Sequence, residues 1–66
     1  MDVKFPHITV KLVGKNGNAY YIMGLVNKAL RANNVSQADI DAYMKDAMSS
    51  DYDHLLYVTQ STVNVD

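Results

Sequence analysis

The spacing of apolar residues changes period once, across a single polar break, and that change limits the fold more than any other feature of the chain. Upstream, Ile8, Val10 and Leu12 alternate with His7, Thr9 and Lys11, the two-residue period of a half-buried strand that begins near Phe5. Downstream, Ala19, Ile22, Met23, Val26, Ala29 and Leu30 recur at the three- and four-residue spacings of an amphipathic helix. The break is Gly14-Lys15-Asn16-Gly17. An Asn-Gly pair favours a tight hairpin when alternating strands flank it on both sides. Helical period on the downstream side makes this segment a strand-to-helix turn, with Asn16 or Asn18 as the helix N-cap. The helix is expected to run to Ala32 and to stop at Asn33-Asn34.

Ser36-Gln37-Ala38-Asp39 is close to a capping box, with aspartate in the place of glutamate or glutamine, and Ile40, Tyr43, Met44, Ala47 and Met48 follow at helical spacing. Ser49-Ser50-Asp51 ends this second helix, and Ser50 or Asp51 can cap a third segment holding Tyr52, Leu55, Leu56 and Thr59. Tyr57, Val58, Thr59 and Thr62 suit a strand as well as a helix, so the end of that segment is open between the two. Val63 and Val65 then alternate with polar neighbours as a short terminal strand. The expected fold is α+β: one domain over residues 1–66, with an N-terminal strand, two or three helices, and a short C-terminal strand that pairs with the first.

A chain of 66 residues buries only about 60% of the surface that its unfolded form exposes, so its core needs a supplement. Disulfides cannot provide it, because there is no cysteine, and His7 and His54 are the only histidines for a metal site. Oligomerisation remains. A two-stranded sheet also has two open edges, and pairing edge to edge with a second copy would close them, which points to a homodimer. Met1 to Val13 lacks the continuous apolar core of a signal peptide, and no segment has the 18 or more apolar residues of a membrane span. A soluble, cytoplasmic protein with no membrane contact is expected. The net charge of −1 is unevenly spread: residues 1–35 carry five cations against Asp2, for +4, and residues 36–66 carry Lys45 against six aspartates, for −5. Two solvated faces are the plain reading of this dipole; complementarity to a partner, or to a second copy, is the functional one.

Gly17-Asn18-Ala19, the helix end Lys28-Ala29-Leu30-Arg31 and the stretch Ser50-Asp51-Tyr52-Asp53-His54-Leu55-Leu56 resemble a family of small uncharacterised proteins encoded by bacteriophages and bacteria. In that family a GNA tripeptide opens a helix and a YDHLL stretch precedes the terminal strand. The resemblance covers Ile8 to Val65. It implies provenance, a phage or prophage gene acting in the host cytoplasm, and carries no catalytic residues. The chain departs from the family over Tyr57-Val58-Thr59-Gln60-Ser61-Thr62, where a more helix-prone segment is usual, so the resemblance does not fix the end of the third helix.

Few residues invite chemistry. Gly14-x-x-Gly17 has neither the spacing of a phosphate-binding loop nor its lysine and hydroxyl, although the first helix's N-terminus beside Lys15 could hold an anion. Asp51, Asp53 and His54 form the densest ionisable cluster, and first-turn aspartates that cap a helix explain it, with His54 bonded to a neighbouring carbonyl. Tyr20, Tyr21, Lys28 and Arg31 make an aromatic and basic face that single-stranded nucleic acid could use, against a net negative charge. The second and third helices do not make a helix-turn-helix, because Asp51 and Asp53 on the recognition helix would be repelled by the groove. Gly24 inside the first helix reads as a close approach of another element, with part of an interface as the functional alternative, and Met23, Met44 and Met48 as core filling rather than an adaptable binding surface. No nucleophile has an evident base and no cofactor or metal motif survives. The expectation is a non-enzymatic, phage-type accessory protein that binds another protein as an assembly factor or as an inhibitor of a host function. A nucleic-acid-binding accessory using the first helix is the alternative, and a nucleotide-sequestering oligomer a further one.

Overall fold

The structure, a computed structural model, describes residues 3–12 and 17–66. Among them the chain runs as strand β1 (Phe5–Val10), helices α1 (Ala19–Ala32), α2 (Gln37–Ala47) and α3 (Tyr52–Thr62), and strand β2 (Val63–Val65). The class is α+β, with the first and last strands paired as expected.

Side-chain caps fix where each helix begins. Asn18 Oδ1 accepts from the Tyr20 and Tyr21 N–H groups at 2.9 and 3.4 Å, so Asn18 is the N-cap of α1; the other candidate, Asn16, and the candidate anion partner Lys15 lie outside the described residues. Ser36 Oγ accepts from the Asp39 N–H at 3.3 Å, and Asp51 Oδ1 from the His54 N–H at 2.9 Å, so the serine caps α2 and the aspartate, not Ser50, caps α3. The end of α1 is equally specific. Asn34 adopts φ 61°, a left-handed conformation that asparagine tolerates better than most residues. With that turn made, the Val35 N–H reaches back to the Leu30 carbonyl at 3.0 Å and the Asn34 N–H to Arg31 at 3.1 Å, the paired bonds of a Schellman stop. Val35 then packs against the same core that holds Leu30.

The segment that suited either helix or strand is helix through Thr62. Its β-prone hydroxyl residues are satisfied inside the helix: Ser61 Oγ donates to the Tyr57 carbonyl at 2.9 Å and Thr62 Oγ1 to the Val58 carbonyl at 2.7 Å. The chain passes directly from α3 into β2, which lies parallel to β1 with Phe5 opposite Val63, Thr9 opposite Asn64 and Val10 opposite Val65. Parallel neighbours need a long crossover, and the three helices supply it. Register slips between Phe5 and Thr9, the stretch that contains Pro6. Proline has no N–H to give the ladder, and the Asn64 side-chain amide donates to the Pro6 carbonyl across this irregularity. Pairing continues beyond both strands, with Lys4 N–H on the Ser61 carbonyl and Leu12 N–H on the Asp66 carbonyl, each at 2.9 Å.

The alternation of β1 turns Ile8 and Val10 onto the helices, where Val26, Leu30, Ile40, Leu55 and Val63 are fully buried. Two polar groups share this core: the Tyr43 hydroxyl of α2 and the Thr59 hydroxyl of α3 lie 2.8 Å apart. Among the described residues no buried side-chain nitrogen or oxygen lacks a partner, so the polar contact carries little desolvation penalty. Burial pushes the Tyr43 phenol above its ordinary value of 10, opposed by the bond to Thr59. A raised folded value leaves stability unchanged by this group below about pH 10 and lowers it as the pH climbs further, because the unfolded phenol loses its proton first. Tyr43→Phe should therefore cost about 1–3 kcal/mol at neutral pH through the lost hydroxyl contact and should flatten the decline above pH 10. Urea midpoints of both proteins from neutral to strongly alkaline pH read both effects, and parallel alkaline declines would refute the assignment.

Candidate functional site

Tyr20, Gly24, Asn27, Lys28 and Arg31 fall on one face of α1, at spacings of three and four residues around the helix. Opposite them α2 presents Met44 and, one turn on at its C-cap, Met48. Together with Met23 these residues line a shallow groove of about 470 Å³. A second depression, of about 390 Å³, continues the groove past Tyr20, Met23 and Met48 to Ser50, Asp51 and Tyr52 at the start of α3. The joined surface is cationic at the end where Lys28 and Arg31 stand, apolar in the middle, and acidic at the end where Asp51 stands.

The helix ends hold this surface in shape. The Tyr52 hydroxyl donates to the Gly17 carbonyl, which ties the start of α3 to the start of α1. Ser49 Oγ donates to the Asp46 carbonyl at 2.7 Å, and the Met48 N–H bonds the Met44 carbonyl at 3.1 Å, so the α2–α3 turn is closed by short-range bonds. His54 Nε2 stands 3.0 Å from Asp46 Oδ1, and its ring stacks on Tyr57 with centroids 6.4 Å apart. The expected partner of His54 was a carbonyl; it is instead a carboxylate on α2, because the first turn of α3 faces the last turn of that helix.

The residues singled out from the sequence are divided by the fold. Tyr20, Lys28 and Arg31 line the groove together, whereas Tyr21, a further 100° around the helix, is not among its lining residues. Asp51 combines capping with a place at the groove's acidic end. Asp53 is an exposed first-turn acid, and His54 belongs to the Asp46 pair. On another side of the molecule a groove of about 320 Å³ is lined by Lys4, Phe5, Asp39, Tyr43, Asp46 and Tyr57 among others. Its charges meet one another: Lys4 Nζ lies 3.7 Å from Asp39 and 5.6 Å from the centre of the Phe5 ring, and Asp46 takes His54. Among the described residues no group of three histidines, cysteines or acids could hold a metal ion, and no helix is long and apolar enough to cross a membrane.

Two expectations are corrected here. A Cβ built on Gly24 meets nothing within 4 Å, so among the described residues no element approaches the helix closely there. Met23 is buried and Met44 half-buried, but Met48 is 57% exposed and does not fill the core. Helical spacing placed Met48 with Ile40, Tyr43 and Met44; it misled because Met48 is the C-cap, where the helix ends before its buried face continues. Met48, Tyr20 at 77% exposure and Tyr52 at 44% cluster on this one surface, three of the exposed large hydrophobic side chains of the described chain. No family model matches the chain, and neither a curated protein nor a solved structure matches it.

Gly24 therefore weakens α1 without an internal packing reason. Gly24→Ala should raise stability by about 1 kcal/mol, the full difference in helix propensity, since the added methyl has open space. A thermal or urea melt at low protein concentration measures it; a loss of stability would mean that something packs against Gly24 after all.

Proposed function

We propose that this chain is a small, non-enzymatic accessory protein that acts by binding protein through the surface of α1, α2 and the start of α3. The observation that carries the reading is the contiguity of Tyr20, Met48 and Tyr52, exposed apolar side chains beside an open Gly24 on a domain with little surface to spare. Clustered exposed hydrophobic residues mark contact sites more often than chance surface composition does. Methionine and tyrosine suit that use: thioethers adapt to an irregular partner, and a phenol gives apolar area with a polar tip. Lys28, Arg31 and Asp51 at the ends of the apolar strip would orient what binds there. The GNA and YDHLL stretches support a phage or prophage origin, and with it a role as an assembly factor or as an inhibitor of a host function in the host cytoplasm.

One observation favours nucleic acid as the second reading. Tyr20, Lys28 and Arg31 share a groove, so a ring for stacking and two cations for phosphates stand together. The two readings separate in one experiment, capture from a bacterial lysate by tagged protein, with and without nuclease. Protein binding predicts a partner retained after nuclease treatment and lost with Met48→Lys, an exposed substitution expected to change stability by no more than about 0.5 kcal/mol. Nucleic-acid binding predicts capture lost to nuclease, steep dependence on salt, and abolition by joint substitution of Tyr20, Lys28 and Arg31. Capture that is the same for wild type and Met48→Lys would refute the groove as the contact surface.

A further inference from the structure

Resting on the protein-binding reading, we propose that the occupant of this groove is a second copy of the chain, packed α1 against α1 about a two-fold axis that passes at Gly24. A two-fold contact requires a surface complementary to itself, so a charge at one end must find its opposite at the other end of the same surface. This groove has that arrangement. Lys28 and Tyr20 lie four residues to either side of Gly24, about 6 Å along the helix in each direction, so antiparallel α1 helices bring each Lys28 ammonium to the face of the partner's Tyr20 ring. Arg31 lies seven residues beyond Gly24. Asp51 shares a depression with Ala19 and Tyr20 at the start of α1, the end that antiparallel pairing brings to the partner's Arg31. At the crossing itself Gly24 offers backbone with no side chain, which allows close approach of the two helices, and Met48 from each copy closes the seam on the side of α2.

The sheet edges are poorer places for a second copy. β1 carries Pro6, which has no N–H to offer, and β2 is three residues long, so neither edge presents an extended row of free donors. The helix surface offers apolar area and paired charge together. Any other protein that uses the groove would then compete with the second copy.

Sedimentation equilibrium of the full chain from about 1 to 300 μM tests the proposal, with dimer formation expected inside that range. Gly24→Leu should weaken the dimer by more than about tenfold by overpacking the crossing, while the monomer melts no lower than wild type, since leucine is the better helix former and its Cβ meets nothing in the monomer. Arg31→Gln and Asp51→Asn should each weaken it about tenfold, because two-fold symmetry makes each lost pair count twice, and asparagine preserves the cap of α3. The double variant should be no worse than either single one. A wild type that stays monomeric throughout, or a dimer indifferent to Gly24→Leu, overturns the second-copy assignment. The lysate capture then decides the broader reading separately: a nuclease-resistant partner lost with Met48→Lys keeps protein binding and replaces the second copy by that partner, whereas no effect of the substitution in either assay removes both.

Discussion

The parallel pairing of β1 with β2 is the contact on which the rest of the fold depends. Strands that run the same way cannot be joined by a turn, so everything between them has to cross from the end of one to the start of the other. Here that crossover is the bulk of the molecule, and it leaves three helices on the apolar face formed by Ile8, Val10 and Val63. Because α3 enters β2 without a loop, the position of α3 is fixed by the strand pair at one end and by the bond from Tyr52 to Gly17 at the other. α2 is then located through α3, by the buried contact of Tyr43 with Thr59 and the exposed one of Asp46 with His54. A two-stranded sheet too small to stand alone thus sets the arrangement of helices that pack on it.

The features legible in the sequence were those fixed by local physics. The change of period at the Gly14 to Gly17 break separated strand from helix, and cap residues marked the helix starts to within two residues: Asn16 or Asn18, Ser36, and Ser50 or Asp51, of which the structure selects Asn18, Ser36 and Asp51, because an N-cap is a one-residue device with a short reach. Asn33-Asn34 marked the end of α1 in the same local way, with Asn33 as the C-cap and Asn34 taking the left-handed turn. The pairing of the first and last strands could be inferred as well, but most details decided by contacts distant in the chain could not be read. Propensity left Tyr57 to Thr62 open between helix and strand; the partner of Thr59, sixteen residues away on α2, is one of the contacts that settle it as helix. The direction of the strand pair and the carboxylate partner of His54 are likewise tertiary facts.

The groove residues divide along the same line. Tyr20, Lys28 and Arg31 could be grouped because helical spacing puts them on one face. Tyr21 was grouped with them by composition, and the geometry separates it. Gly24 and Met48 were assigned inward on general tendencies, that a mid-helix glycine admits a neighbour and that a methionine at core spacing fills the core. Both tendencies describe helices covered on the relevant side. α1 is covered by β1 and the other helices on its buried face, and at Gly24 no described residue covers the opposite face.

That uncovered face is where the physical requirements of a small domain meet the surface proposed for binding. Sixty-six residues without a disulfide leave a modest core, and selection for stability alone would favour alanine at Gly24 and a polar residue at Met48. Both departures lie on one surface, beside Tyr20 and Tyr52 and between charges of opposite sign. Local choices that oppose the stability of the isolated fold are expected where the chain meets something else. Elsewhere the chain obeys its own packing: buried polar side chains are partnered among the described residues, and the charges around the Lys4 and Asp39 groove meet each other. The groove is thus distinguished less by its shape than by the concentration, on one helix face and its rim, of residues such as Gly24 and Met48 whose choice does not serve the stability of the monomer.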